Sequence, residues 1–370
     1  VDGGNEQRRG LVFYFFVRMQ YCLWGGEDEM RAAELIAPLK FRLTEMEIGE
    51  PGPGEVQVRV EAVGVCGSDM HAYKEGAVGG NPNLYPMLLG HEPAGRIVKA
   101  GAGVTGLAVG DRGALEPALY CYHCEFCLSG HHNVCANIRF LSTPGHPGFF
   151  RELVNLPVEN FKAIPAGMSY GEAALAEPLA IALHSLGLAK IGRGETVAVI
   201  GAGPIGWMTI AALRAAGAGR VWAVEPLAHR RELARGIGAD VALEPGEAVD
   251  EILRGTGQRG VDCAIDCAAG EDTTIQAAQI TRNAGRVVLT GIHTTAIVKV
   301  DAAAMRRKEL TLVNVRRSNH ETDEALELLG AQAAWFAPLL THTRDIEQID
   351  EAFKIASQYK DGVGKMMVRP

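Results

Sequence analysis

The chain of 370 residues contains no run of eighteen apolar residues, so it offers no segment that would cross a bilayer as a helix. It also lacks an excess of positive charge. Its 36 Lys and Arg stand against 44 Asp and Glu, and the net charge of −8 opposes binding to nucleic acid. Its cysteines are not spread as in a secreted disulfide framework, because four of the eight fall between positions 121 and 135. What is left is a soluble globular composition, 47% hydrophobic and 22% charged, at a length that predicts two domains in a reducing, cytoplasmic setting.

The first 29 residues do not share the pattern of the rest. Leu11–Val17 is apolar and follows Arg8-Arg9, but the run is short, Arg18 interrupts it and no A-x-A site follows, so a signal peptide is incomplete. Met30 opens a regular pattern, and residues 1–29 are expected to be an upstream extension without a part in the fold. Glu55–Gly64 alternates apolar and polar residues and predicts a half-buried strand that runs directly into Cys66. Pro51-Gly52-Pro53-Gly54 is the turn before it, and Gly95–Ala100 continues the strand-and-turn pattern.

Cys66, His91 and Glu92 offer a thiolate, an imidazole and a carboxylate. That mixture suits a catalytic Zn²⁺, which keeps an open position beside three protein ligands. Glu177, followed by Pro178, is a further carboxylate for the metal or its water. Cys121, Cys124, Cys127 and Cys135 form C-x₂-C-x₂-C-x₇-C, a spacing that can close a tetrahedral structural zinc site. Two zinc ions per chain are therefore expected. The bland alternative, four chance buried cysteines, does not account for the clustering. Cys263 and Cys267 sit in a strand pattern and read as packing residues.

From Glu195 the pattern changes. Glu195–Ile200 is a continuous apolar strand, followed by Gly201-Ala202-Gly203-Pro204-Ile205-Gly206, a helical pattern to about Ala216, and a second strand Arg220–Val224 ended by Glu225. Strand, GxGxxG, helix, strand and acid in this order make a dinucleotide site, with the helix N-terminus facing a pyrophosphate. Further strands are predicted at Val241–Leu243, Val261–Cys267, Arg286–Thr290 and Leu310–Val315, with helices over Leu227–Ile237, Ala248–Thr256 and Thr273–Asn283. A helix near Glu321–Gly330, a strand at Leu339–His342, a helix at Ile346–Gln358 and a strand at Lys365–Val368 follow. This last stretch is expected to return to the first domain.

From Met30 onward the chain resembles zinc-dependent medium-chain dehydrogenases, most of all the sorbitol (polyol) dehydrogenase branch. The residues carrying the resemblance are Gly64–His71, Leu89-Gly90-His91-Glu92, the four-cysteine lobe, Ala176-Glu177-Pro178-Leu179, Gly201–Gly206 and Arg316. The resemblance implies an α/β protein. A GroES-like, β-rich catalytic domain (30–183, zinc lobe at about 117–140, completed by 319–370) would carry an inserted Rossmann domain (184–318) with a doubly wound parallel sheet. It also implies that Cys66, His91 and Glu92 hold the catalytic zinc, and that Glu177 lies beside it. Ser68 and His71 would relay a proton, and the chain would form a homodimer or homotetramer. The bland readings are that Ser68 caps a turn, His71 is a surface histidine and His91 a satisfied core histidine. The polyol branch usually has Arg-Tyr where this chain has Arg316-Arg317, a departure that weakens the assignment to sorbitol itself and admits a substrate with more oxygens or an anionic group.

The chemistry expected is oxidation of a small-molecule polyol or secondary alcohol, because a zinc-bound oxygen titrates near 7 instead of about 16. A dehydrogenase of an amino alcohol, as in threonine dehydrogenases, or of a sugar acid is the alternative. A zinc-dependent nucleic-acid module is disfavoured by the acidic charge and the lack of a basic cluster near Cys121–Cys135, and an inactive structural role by the intact metal triad. Glu225 favours NAD by accepting ribose hydroxyls, and NADP is the less favoured cofactor. Arg230 and Arg231, on the following helix, are expected to be solvated at the surface, although one well-placed arginine could offset Glu225.

Overall fold

The computed structural model describes residues 28–370. Asp28 and Glu29, expected in the extension, instead open the strand Asp28–Ala37 and pair with Ile48 and Glu47. The rest of that extension, with Leu11–Val17 and Cys22, lies outside the described residues.

Two large sheets carry the described residues. The first has seven strands, ordered Phe161–Ala163, Arg112–Leu115, Glu92–Ala100, Glu55–Gly64, Lys365–Arg369 and Leu340–Asp345, with Leu153–Pro157 also pairing with Glu55–Gly64. The strand Glu55–Gly64 is therefore central and not half-buried as its alternation predicts. Its apolar face (Val56, Val58, Val60) packs in one core, while Gln57 on the other face is also covered, its amide donating to Gly49 and Asn155. The register against Glu92–Ala100 shifts between Val60 and Ala62. Such a bulge re-aims the strand end, here the end that delivers Gly64 and Cys66. The C-terminal strand Lys365–Arg369 pairs with that same end, Met367 opposite Gly64.

The second sheet is parallel throughout and has six strands. Their order is Val241–Leu243, Val221–Val224, Val197–Ile200, Val261–Asp266, Thr281–Leu289, Thr311–Asn314. This is the doubly wound order, in which ligands bind beyond the carboxyl ends of the strands at the point where the order reverses. Here that point lies between Val197–Ile200 and Val261–Asp266, and the glycine loop begins there at Gly201. The helix Ala176–Ala189 joins the two halves. Leu179, Ala180 and Ala182 lie in a core that contains Ala94 and Met367 from the first sheet and Val197, Val199 and Ile265 from the second.

Some predicted elements differ in extent. The helix expected over Thr273–Asn283 stops at Ile280, and Thr281 opens a strand with extended backbone (φ −84°, ψ 137°). The long-range pull is visible: Thr281 pairs with Val261, and Arg282 reaches Asp262 at 2.7 Å. The helix expected from Ala248 starts three residues earlier at Pro245, a favoured first position that lacks an N–H the helix would leave unpaired. The strand expected to reach Cys267 ends at Asp266, whose carboxylate accepts the backbone N–H groups of Ala268 and Ala269 and turns the chain.

Candidate active site and its metal and dinucleotide surroundings

Cys66 caps the helix Gly67–Glu75, where the end of the Glu55–Gly64 strand leaves it. His91 and Glu92 stand at the start of the neighbouring strand Glu92–Ala100. The two elements bring the Cys66 sulfur, a His91 nitrogen and a Glu92 oxygen within 4.8 Å of one another. Gly64 makes this possible, since a Cβ there would run into the Glu92 carboxylate.

A residue that the motif reading passed over organises the cluster. Asp69 is buried and accepts the Cys66 N–H at 3.0 Å and the Gly90 N–H at 3.2 Å. Its Oδ1 lies 3.4 Å from His91 Nδ1, which leaves Nε2 for the ligand side of the ring. Burial works against the Asp69 carboxylate, but His91 and these N–H groups together hold it below the usual range. Its sequence signal was the C-x-x-D spacing, an acid three residues after a helix cap.

Lys365, from the last strand, is the second residue that was missed. Its ammonium and the Glu92 carboxylate form an ion pair, each side chain 1% exposed. The Glu92 Oε1 atom is buried without a hydrogen-bond partner. No spacing rule links positions 92 and 365.

Ser68 Oγ stands 3.4 Å from His91 Nε2. His71 also lines the cleft, one turn along the same helix, and pairs with Glu75 at 3.1 Å. Glu177, in the first turn of Ala176–Ala189, lines the cleft with its Oε2 sealed from solvent and unpartnered. Burial pushes its carboxyl up to about 7, with His91 opposing and Glu92 reinforcing the rise.

Cys66, Ser68, His71, His91, Glu92 and Glu177 share one cleft of about 910 Å³ with Gly201, Gly203, Pro204, Ile205, Glu225, Arg230 and Arg316. Gly201 has φ +89°, and a Cβ on it would press on the Ala268 backbone at 2.8 Å. Gly206 lies beneath the loop, where a Cβ would strike the Gly201 carbonyl. Pro204 begins the helix Pro204–Ala215. Glu225 is buried, accepting the N–H groups of Ala202 and Leu227, each at 3.0 Å.

Arg230 is not solvated as expected. It is 9% exposed, its guanidinium 4.5 Å from the Tyr359 ring and 5.8 Å from the Trp207 ring, and its Nε has no partner. Arg231 turns away to Glu244 and to the Glu225 and Pro226 carbonyls. Arg316 is an exposed residue at the cleft, its carbonyl accepting from Asn133 at 2.8 Å. Cys263 is fully buried, whereas Cys267 is partly exposed and lines the cleft.

Outside the cleft, the sulfurs of Cys121, Cys124, Cys127 and Cys135 lie within 4.8 Å of one another, with Cys121 to Cys135 at 3.4 Å. Hydrogen bonds, the largest from the His123 backbone, pull the Cys121 thiol down to about 5, while burial pushes Cys127 up to about 12. The lobe is tied to the segment after the last parallel strand: besides the Arg316 bond, Asn319 donates to the Gly130 carbonyl at 2.8 Å.

This geometry coincides with a known family. Residues 52–166 match the alcohol dehydrogenase GroES-like domain, and residues 204–331 match the zinc-binding dehydrogenase domain. The chain belongs to the zinc-binding alcohol dehydrogenase family and is a dehydrogenase of the medium-chain type. It is similar to sorbitol dehydrogenase of Bacillus subtilis, 32% identical over 345 residues that make up 93% of this chain and 98% of that protein. L-Idonate 5-dehydrogenase of Vitis vinifera is 32% identical over 342 residues, 90% of this chain and 93% of that one. A putative zinc-binding dehydrogenase from Sinorhizobium meliloti, solved bound to NADP, superposes with a TM-score of 0.83 at 30% identity, covering 93% of this chain and all of that one (100%).

Proposed function

We propose that the protein oxidises a polyol or secondary alcohol by hydride transfer to NAD, with zinc held by Cys66, His91 and Glu92 and Glu177 beside it. The observation that carries this reading is the convergence of a thiol, an imidazole and a buried carboxylate, whose Oε1 has no hydrogen-bond partner, in the cleft that also holds the glycine loop. The donor set fits Zn²⁺ in a catalytic setting. A metal bound there supplies Lewis-acid stabilisation for the negative charge that an alcohol oxygen develops as it loses its proton.

The remaining work falls to side chains. Asp69 fixes the His91 ring through Nδ1, as carboxylates do behind histidine ligands. Ser68, next to the cluster, is positioned to accept the substrate hydroxyl proton. His71, on the same helix face and backed by Glu75, is the proposed later station toward solvent. Gly201, Gly203 and Gly206 admit a pyrophosphate to the N-terminus of Pro204–Ala215, where the peptide dipoles favour anions. The cleft between the two sheets would hold the two reacting carbons together.

For the dinucleotide, Glu225 supports NAD, since a 2′-phosphate beside its buried charge would be repelled. Arg230 is the rival, being a nearby cation without an acid partner at its Nε. The ratio of kcat/KM for NAD⁺ over NADP⁺ decides between them, and a ratio below one would sink the NAD assignment.

Four thiols at tetrahedral spacing support a second, structural zinc. The two separate sheets support a division into a catalytic unit (30–183 with 319–370) and a dinucleotide unit (184–318). The helix Ala176–Ala189 runs across the first boundary. The outer parallel strand Thr311–Asn314, with Leu312 38% exposed, leaves a sheet edge consistent with a homodimer or homotetramer.

A screen of polyols, sugar acids and amino alcohols with zinc-loaded protein tests the reading. Cys66→Ser is expected to lower kcat by at least about 100-fold while NAD affinity, measured separately by NADH fluorescence, stays near normal. Full activity in that variant would remove Cys66 from the mechanism. Sugar acids as the better substrates would favour the alternative raised by Arg317.

A further inference from the structure

The cleft contains a cation that neither the metal cluster nor the glycine loop uses. Arg317 follows the outer strand Thr311–Asn314 and lines the cleft. Its backbone is left-handed, with φ +55°, a conformation disfavoured for a residue with a side chain. Backbone outliers of this kind concentrate where a side chain must be aimed. The guanidinium lies 4.1 Å from the centre of the Phe140 ring. That ring is in turn 5.6 Å from the ring of His91. One aromatic ring therefore separates the Arg317 charge from a proposed metal ligand.

The charge is incompletely answered. Among the described residues Arg317 has no carboxylate within ion-pair distance; Tyr120 and Glu177 act on it only from further away. Burial, with Arg316 adding to it, lowers the guanidinium to about 10, so it remains charged at neutral pH. Stacking on Phe140 occupies a face of the guanidinium, and its edge keeps the forked donors that match a carboxylate or phosphate. A partly buried cation held this way is stabilised by an anion brought by a ligand.

We propose that Arg317 is a specificity residue that binds a terminal anionic group, so that the preferred substrate is a polyol carrying a carboxylate or a phosphate at the end remote from the reacting carbon. This rests on the hydride-transfer reading of the cleft. The anion sits across Phe140 from the metal cluster, and the hydroxyl-bearing carbons span the gap. Neutral polyols of equal length reach the same cluster without that anchor.

The test is calorimetric binding to the zinc-loaded full-length protein saturated with NADH, a complex in which an alcohol ligand cannot turn over. Three probes of one chain length are compared: glucitol, gluconate and glucitol 6-phosphate. At least one anion is expected to bind ten or more times tighter than glucitol. Arg317→Gln should abolish that advantage, and Arg317→Lys should keep part of it. An advantage for gluconate alone identifies a carboxylate substrate, for the phosphate alone a phosphorylated one, and for both a site that reads charge. Equal affinity for all three, tighter binding of glucitol, no binding of any probe, or a full anion advantage in Arg317→Gln overturns the proposal. The wild-type comparison and Arg317→Lys keep the test decisive if the glutamine variant does not fold. A parallel assay with NAD⁺ and NADP⁺ separates the two claims: tight anion binding without turnover of any alcohol sinks the hydride reading and leaves the anion site standing.

Discussion

At the scale of single residues, the Cys66–His91–Glu92 cluster proposed to hold zinc depends on side chains that are not themselves donors to it. Asp69 takes two backbone N–H groups and His91 Nδ1, and so links the helix cap at Cys66 to the strand that carries His91 and Glu92. Asp69→Asn preserves shape but exchanges an acceptor for a donor on one side of the amide. Zinc affinity of the cleft site is expected to fall about 10–100-fold, as for other carboxylates behind histidine ligands. Chelator competition at fixed pH measures it, and an unchanged affinity would remove Asp69 from the site. The residues that the sequence alone missed are of this kind. Cys66, His91 and Glu92 declared themselves by donor chemistry, whereas Asp69 resembled any acid in a first helical turn. Lys365 acquires its role only because the last strand pairs beside Gly64. The burial of Arg230 likewise depends on Tyr359, more than a hundred positions away, and no local pattern encodes it.

At the scale of elements, the strand Val261–Asp266 is anchored by one buried carboxylate. Asp262 accepts from Thr196 at 2.8 Å and pairs with Arg259 at 2.6 Å and Arg282 at 2.7 Å. Burial opposes its ionisation, but the two arginines and Thr196 outweigh it and hold the carboxyl well below the usual carboxylate range. Because the folded value is depressed, the stabilisation is complete above the unfolded value of about 4 and is lost as acid takes the pH down through the folded value. Asp262→Asn should therefore cost about 1–3 kcal/mol at neutral pH, and its deficit relative to wild type should shrink below about pH 4. Urea titrations at several pH values read this directly; a deficit that stays constant from pH 7 to pH 3 would contradict it. The same contact explains why one predicted helix was too long. Residues 281–283 have no strong local preference against helix, and it is Asp262 and the pairing with Val261 that draw them into a strand. The glycine loop was legible because its strand, turn, helix and acid are contiguous in sequence. The central burial of Glu55–Gly64 was not, because one of its flanking strands comes from the far end of the chain.

At the scale of the whole molecule, the four-cysteine lobe is joined by hydrogen bonds to the segment that carries Arg316 at the cleft. Metal binding can contribute on the order of 10 kcal/mol to ordering a segment of this type. Cys124→Ser is expected to lose the lobe metal and open residues 121–135 to proteases. Cys66→Ser should lose the cleft metal and leave that segment resistant. Metal analysis with limited proteolysis separates the two, and equal protease resistance in both variants would argue against a zinc-held lobe. Because Asn133 supports the Arg316 carbonyl and Asn319 holds Gly130, opening the lobe should also raise KM more than it lowers kcat.

The helix Ala176–Ala189 has a mechanical consequence. Its middle is embedded in a core shared by both sheets, Ser185 near its far end stands 3.1 Å from Thr290 of the parallel half, and Glu177 occupies its first turn at the cleft. It is a single rod held at its middle by packed side chains. If the sheets rotate against each other when a dinucleotide seats, that carboxylate swings with the rod, so closure of one half would be felt as a displaced charge in the other.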